Sequence, residues 1–124
     1  MVDSVSSYFG LRKIHTENGM LMLNNRPYYM KLVLDQGYWP GSLITAPDDE
    51  ALKTDIELAK KMGFNGCRKH QKAEDPRFLY WADKLGYIVW GDMAAACVYN
   101  ETSVARTTRE WIDIVERDYN HPCI

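Results

Sequence analysis

No stretch of this sequence approaches the ~20 consecutive apolar residues that a membrane-spanning helix needs. Positive charge is not in excess either: 15 Lys and Arg face 17 Asp and Glu, for a formal net charge of −2. Nucleic-acid binders and proteins held on anionic membranes carry a basic patch, so neither partner is expected. Cysteine is scarce and odd in number, at Cys67, Cys97 and Cys123. Such a set fits no paired disulfide framework, and the thiols read as free, small apolar side chains. Neither G-x-G-x-x-G nor G-x-x-x-x-G-K-[ST] occurs, which argues against a nucleotide-binding α/β domain. No cofactor is implied. Met1 to Gly10 lack a basic start followed by an apolar core, so no signal peptide is expected there.

What is present is ordinary for a folded domain: 124 residues, 46% hydrophobic and 26% charged. Tyr8 to Ile14 reads as a short strand. Asn18-Gly19 is a turn signal, followed by Met20-Leu21-Met22-Leu23. Asn24-Asn25 turns the chain again into a run from Pro27 through Leu34, so a β-hairpin feeding a buried strand is expected. Asp35 to Pro47 is a long aromatic loop. Asp48 and Asp49 then sit where carboxylates cap a helix start, and Leu52, Ile56, Ala59 and Met62 recur at helical spacing up to Gly63.

Phe64 to Arg68 is a strand candidate. Asp75-Pro76 opens a second helix whose inner face is Phe78, Leu79, Ala82 and Leu85, closed by Gly86. Tyr87-Ile88-Val89-Trp90 is an apolar run typical of a strand in a covered parallel sheet. Met93 to Ser103 reads as a loop, and Arg106 to Tyr119 as a third helix with Trp111, Ile112 and Val115 inward. Cys123-Ile124 would start a fourth strand. Strands alternating with helices at this spacing imply an α/β fold with parallel strands. Three such units leave open sheet edges, which invite self-association.

The residues resemble glycoside hydrolase family 2, whose members include β-galactosidases, β-glucuronidases and β-mannosidases. Tyr8-Phe9-Gly10-Leu11-Arg12-Lys13-Ile14 looks like the junction into that family's catalytic barrel. Asn24-Asn25-Arg26-Pro27 is similar to its "N-G-K-P" hairpin. Asp55-Ile56-Glu57-Leu58 with Lys60-Lys61-Met62-Gly63-Phe64-Asn65 resembles its "D-I-x-L-x-K-x-x-x-F-N" stretch. Asp75-Pro76-Arg77 and Trp81-Ala82-Asp83-Lys84-Leu85-Gly86 look like "D-P-x-x…D-x-x-G". Glu116-Arg117-Asp118-Tyr119-Asn120-His121-Pro122 is close to "R-D-x-N-H-P-S-I". The resemblance implies a partial (β/α)8 TIM barrel of about three β/α units preceded by a short β-hairpin. Residues 1–14 would be the tail of, or linker from, a β-sandwich domain, and 15–124 the opening portion of the barrel. Departures occur at Met30 to Gln36, at Arg68-Lys69-His70 and at Gly91-Asp92-Met93-Ala94, where the family commonly carries other residues. They leave the sugar open.

Retaining glycosidases work with two carboxyl groups ~5–5.5 Å apart, an acid/base and a nucleophile. By resemblance both follow Ile124, so no catalytic residue is expected within these residues, and the isolated chain should be inactive. Barrel enzymes act at the carboxyl ends of their strands. That places Asp35, Gln36, Tyr38, Trp39, Arg68, Lys69, His70 and Asp92 on the side that would face a carbohydrate substrate. Carboxylates, amides and aromatic faces suit sugar hydroxyls and rings. By resemblance Arg68 lies near the nucleophile and holds it ionised. Plainer roles stand beside these. Arg68 could pair with Asp35 or Asp92, His70 could be a hydrogen-bonded structural residue, and Tyr38 and Trp39 could simply cover the barrel mouth. Asp35 with Asp92 as a carboxylate pair, and Cys67, His70, His121 and Cys123 as a metal set, are weaker possibilities, and no metal is assigned. Two other readings compete: a non-catalytic, self-associating barrel piece or carbohydrate-binding module, and a flavodoxin-like domain.

Overall fold

The structure, a computed structural model, describes residues 2–124. Its elements run β1 (Ile14–Glu17), β2 (Met20–Leu23), β3 (Arg26–Pro27), β4 (Leu32–Asp35), α1 (Asp49–Lys61), β5 (Gly66–Lys69), α2 (Pro76–Leu85), β6 (Ile88–Gly91) and α3 (Glu101–Asp118). No helix of the described residues is long and apolar enough to cross a membrane.

The first three strands form an antiparallel meander, β1-β2-β3. Its two turns are Asn18-Gly19, at φ 49° and 74°, and Asn24-Asn25, at φ 52° and 61°. Left-handed backbone at both central residues matches the twist of a tight hairpin, and Asn and Gly adopt it most readily.

The other three strands form a parallel sheet in the order β4-β5-β6. Val33, Cys67 and Val89 stand abreast, as do Leu34, Arg68 and Trp90. Side chains alternate across a strand, so the two rows face opposite ways. The first row meets the helices. Cys67 and Val89 are buried against Leu52, Ile56 and Ala59 of α1 and Phe78, Leu79 and Ala82 of α2. Each fully buried Leu, Ile or Phe here is worth roughly 1.5–3 kcal/mol. The second row has no layer over it: Leu34 is 59% exposed and Trp90 57%. A doubly wound sheet carries helices on both faces, whereas the described residues cover only one.

Local chemistry sets the helices. The Asp48 carboxylate accepts the Ala51 N–H at 2.7 Å, and Asp49 and Glu50 meet the positive end of the α1 dipole. Asp75 caps α2 with Pro76 in the first turn, and Gly86 ends it at φ 64°.

Several expectations are corrected. Tyr8 to Ile14 is not a strand; pairing begins at Ile14. Tyr8 instead crosses to α2, where its ring meets Tyr80 edge-on and its hydroxyl donates to Asp83 at 2.7 Å. The run from Pro27 to Leu34 is not one strand but is divided between the two sheets. Asn65 causes the break: its side chain accepts the Lys31 N–H and donates to the Tyr29 C=O, each at 2.8 Å. These bonds divert the chain away from the meander. Helix α3 starts at Glu101, five residues before the expected Arg106, because Asn100 and Ser103 form a reciprocal capping box. Of its expected inner residues, Trp111 and Val115 face the body of the protein without being buried, Ile112 does not line that side, and only Asp118 of this helix is buried. A cavity of about 580 Å³ opens between α3, β6 and the meander, lined by Ile14, Leu21, Val89, Trp111, Val115 and Ile124. Cys123-Ile124 forms no strand, although the Val89 N–H donates to the Cys123 C=O at 2.8 Å.

One polar cluster ties the chain's ends to α2. The Asp83 carboxylate accepts the Cys123 N–H at 2.9 Å and bonds His121 Nδ1 at 2.6 Å, besides the Tyr8 hydroxyl. Burial alone would raise the Asp83 carboxyl, but these bonds, Cys123 and His121 foremost, hold it below the usual range. A carboxyl lowered by folding lends stability above its unfolded value of ~3.9 and loses it as pH falls through the folded value. Urea unfolding from pH 7 to pH 2 should therefore show a falling midpoint at the acid end. Asp83→Asn should cost about 1.5–3 kcal/mol at neutral pH and flatten that acid fall. A second substitution tests the sheet. A Cβ on Gly66 would strike the Ile88 backbone carbonyl and the Leu32 side chain. Gly66→Ala should destabilise by about 1–3 kcal/mol with an unchanged urea slope.

Candidate functional site

Because β4, β5 and β6 run parallel, their carboxyl ends share one rim, with Asp35, Lys69 and Gly91 abreast. Asp35 and Lys69 alternate onto the same face as the buried Val33–Cys67–Val89 row. Lys69 is accordingly 1% exposed. Its ammonium lies 2.5 Å from Asp35 Oδ2, 2.8 Å from Glu74 Oε2 and 3.9 Å from the centre of the Phe78 ring. Burial would pull the Lys69 pKa down, but the Asp35 and Glu74 carboxylates more than offset it and leave it raised. Lys72 sits on the other Glu74 oxygen at 3.0 Å. Lys69 is therefore tied inside the protein, not extended toward the rim's opening.

The residues of the second row do reach the open side. Arg68 Nε and Nη2 both donate to Asp92 Oδ2, at 3.1 and 2.8 Å. Gln71 N–H approaches the same oxygen at 3.4 Å. Gln36 Nε2 and His70 Nδ1 are 3.0 Å apart, which joins the loops after β4 and β5. The Asp35 side chain accepts the Gly37 N–H at 2.7 Å, and its backbone C=O accepts the His70 N–H at 2.8 Å. Tyr38 is exposed, while Trp39 lies half-buried against the core below α1.

The structure sorts the eight candidates: Arg68 and Asp92 meet on the open face, Gln36 and His70 meet above the strand ends, Tyr38 is exposed at the β4 edge, Trp39 packs on the core, and Asp35 and Lys69 are tied beneath. Asp35 and Asp92 are each bound to a cation, so they do not stand as a free carboxylate pair. Glu74 and Lys72 were missed by sequence reasoning. The signal was there: Lys69 lies two residues after the core residue Cys67, and a lysine on a buried face requires acidic partners.

The Cys67-His70-His121-Cys123 metal set does not assemble. Cys67 is in the core, with burial pushing its thiol up to about 12, and His70 is held by Gln36. Asp83, His121 and Cys123 do bring ligand atoms within 4.8 Å of one another. Both Asp83 oxygens already accept hydrogen bonds, and burial pushes the Cys123 thiol well up, which disfavours the thiolate a metal needs.

No family model matches the chain. Individual proteins do. It is 29% identical to a β-galactosidase of Vibrio cholerae over 134 aligned residues, covering 99% of this chain and 13% of that protein. It is 27% identical to a putative β-glucuronidase of Formosa agariphila, covering 100% of this chain and 15% of the relative. Among solved structures, the GH2 β-galacturonidase of Eisenbergiella tayi superposes with a TM-score of 0.86 at 26% identity, covering 94% of this chain and 22% of that one. The chain therefore spans about one-seventh of the length of these curated relatives. All three are named as glycosidases, and along almost its whole length this chain is similar to a segment of such enzymes, one of them named as a GH2 member.

Proposed function

We propose that this chain is the opening part of a (β/α)8 barrel in a retaining glycoside hydrolase, and that its strand-end rim forms one wall of the sugar site. The observation that carries this is the one-sided parallel sheet. Helices cover one face, and the opposite face, with Leu34, Arg68 and Trp90 abreast, is bare. A row of side chains pointing away from the helices is what a barrel strand turns toward the barrel axis. The match to glycosidases over 94–100% of the chain supports the same reading.

In this proposal the wall binds and orients, and other polypeptide supplies the reacting carboxyls. Retention needs a proton donor and a free carboxylate nucleophile ~5–5.5 Å apart. In this reading Asp35 and Asp92 hold the wall together through Lys69 and Arg68 and are not the reacting pair. Arg68 is, in the same reading, the residue that acts on the nucleophile. Two of its nitrogens are spent on Asp92, and Nη1 has no hydrogen-bond partner among the described residues. A guanidinium beside a carboxylate keeps it ionised.

Two enzyme measurements test this. The pure 124-residue chain should release nitrophenol from nitrophenyl β-glycosides no faster than buffer; genuine turnover would contradict the division of labour. In the full-length polypeptide, Arg68→Ala should lower kcat on the order of 100-fold. It should also move the acid limb of the kcat/KM profile to higher pH, because a nucleophile without its cation protonates earlier. An unshifted acid limb would remove Arg68 from that role.

The bare row and the exposed face of α3 also bear on the isolated chain. Trp90, Trp111, Ile112 and Val115 offer apolar surface with no layer on it, and apolar surface of this kind drives association. Sedimentation should show concentration-dependent oligomers. A monomer at every concentration would show that the open sheet tolerates water.

A further inference from the structure

The chain after β4 returns to α1 through a tight internal turn. Trp39 N–H donates to the Leu43 C=O at 2.5 Å, and Leu43 N–H donates back to the Trp39 C=O at 3.1 Å. One side chain from outside joins the two ends of this turn. Lys72 Nζ donates to the Gly37 C=O at 3.3 Å and to the Ile44 C=O at 2.7 Å. It also pairs with Glu74 Oε1 at 3.0 Å. Two hydrogen bonds and one ion pair thus hold the Lys72 ammonium in place.

Glu74 is fixed in turn. Its side chain is 6% exposed, and its other oxygen holds the buried Lys69 ammonium. Gly37 makes the approach possible. Its φ is +65°, and a Cβ there would fall on the Lys72 ammonium and the Glu74 carboxylate. Leu43 sits at φ 59°, a backbone state that a leucine rarely adopts. Such a residue persists only where its surroundings over-determine it. The closure by Lys72 is that surrounding.

We infer that Lys72, backed by Glu74, is a positioning residue that staples the loop carrying Gln36, Tyr38 and Trp39 to the floor of the rim. This inference rests on the glycosidase reading above. Lys72 touches no reacting group. It fixes the loop before a sugar arrives, and ordering paid in advance shows as tighter ground-state binding. Lys69 does not substitute for it, because its own ammonium is held by Asp35 and Glu74.

Two measurements decide it. In the 124-residue chain, Lys72→Met keeps the aliphatic stem and removes the two hydrogen bonds and the ion pair. Exchange of the Trp39 and Leu43 amides with deuterated water should accelerate by about tenfold, while amides in the middle of α1 keep their rates. Unchanged exchange at Trp39 and Leu43 overturns the inference. In the full-length polypeptide, Lys72→Met should raise KM for a nitrophenyl β-glycoside about tenfold with kcat within about twofold, and Lys72→Arg should recover most of the loss. A fall in kcat at constant KM, or an arginine no better than methionine, overturns it as well. Should Lys72→Met fail to fold, Lys72→Gln carries the same readouts. A full-length polypeptide with no glycosidase activity at all would sink the parent reading, and the exchange rates would still decide what Lys72 does to the loop.

Discussion

The rim of this structure depends on one buried ammonium. Lys69 lies out of water between Asp35 and Glu74, and a charge in that position is tolerable only when paired. Asp35 belongs to β4, Lys69 to β5, and Glu74 to the segment leading into α2. The requirement to neutralise Lys69 therefore sets three chain segments at once. Each partner then does a second task with its remaining atoms. Asp35 accepts the Gly37 N–H and, through its carbonyl, the His70 N–H. Glu74 takes Lys72, which in turn takes the carbonyls of Gly37 and Ile44. The two loops that crown the strands are thus extensions of one electrostatic constraint.

The alternation of the parallel sheet decides why that constraint sits where it does. Cys67 and Lys69 share a face, and so do Val33 and Asp35. The apolar pair packs under α1 and α2. The charged pair sits one step further along, where the helix layer ends and the loops begin. Arg68 is on the opposite face between them and meets Asp92 on the open side. A one-residue shift in register would exchange these environments, placing the guanidinium under the helices and the ammonium in the open. Hydrophobic pairing of Val33, Cys67 and Val89 and ion pairing at the rim thus favour the same register.

Much of this was legible in the residues. Asp48 and Asp75 announced helices because a capping carboxylate acts within one turn. Asn18-Gly19 and Asn24-Asn25 announced turns because their left-handed backbone is a local property. The misreadings have a common cause in long-range chemistry. Tyr8 to Ile14 has strand-like residues, but only its last two reach the hairpin, and its tyrosine is claimed by Asp83 75 positions away. Pro27 to Leu34 reads as one run until Asn65, distant in sequence, divides it. The start of α3 was missed for a different reason: Ser103 completes the Asn100 capping box where Glu or Gln is the usual signal. Of the rim residues, those that meet solvent could be named from their place after each strand. The buried side of Lys69 called for acidic partners, but nothing local to Glu74 or Lys72 says that they are the residues that answer it.

The charges of the rim cancel locally. Asp35, Glu74 and Asp92 are matched by Lys69, Lys72 and Arg68, each at 3.0 Å or less from an opposite charge. What the open side retains is directional rather than ionic. Arg68 keeps Nη1, Asp92 keeps Oδ1, and Gln36 and His70 keep the polar atoms that their mutual bond does not use. Tyr38 adds an exposed ring edged by a hydroxyl. A surface of this kind discriminates by the placement of hydroxyl groups, because an unmatched donor or acceptor costs more than a matched one gains. A surface of free like charges would instead respond to the ligand's net charge and weaken with salt. For the proposed sugar wall, selectivity then comes from how rigidly these few atoms are held. For the loop that carries Gln36 and Tyr38, that hold runs through Lys72 and Glu74 to the buried lysine, while Arg68 and Asp92 hold each other.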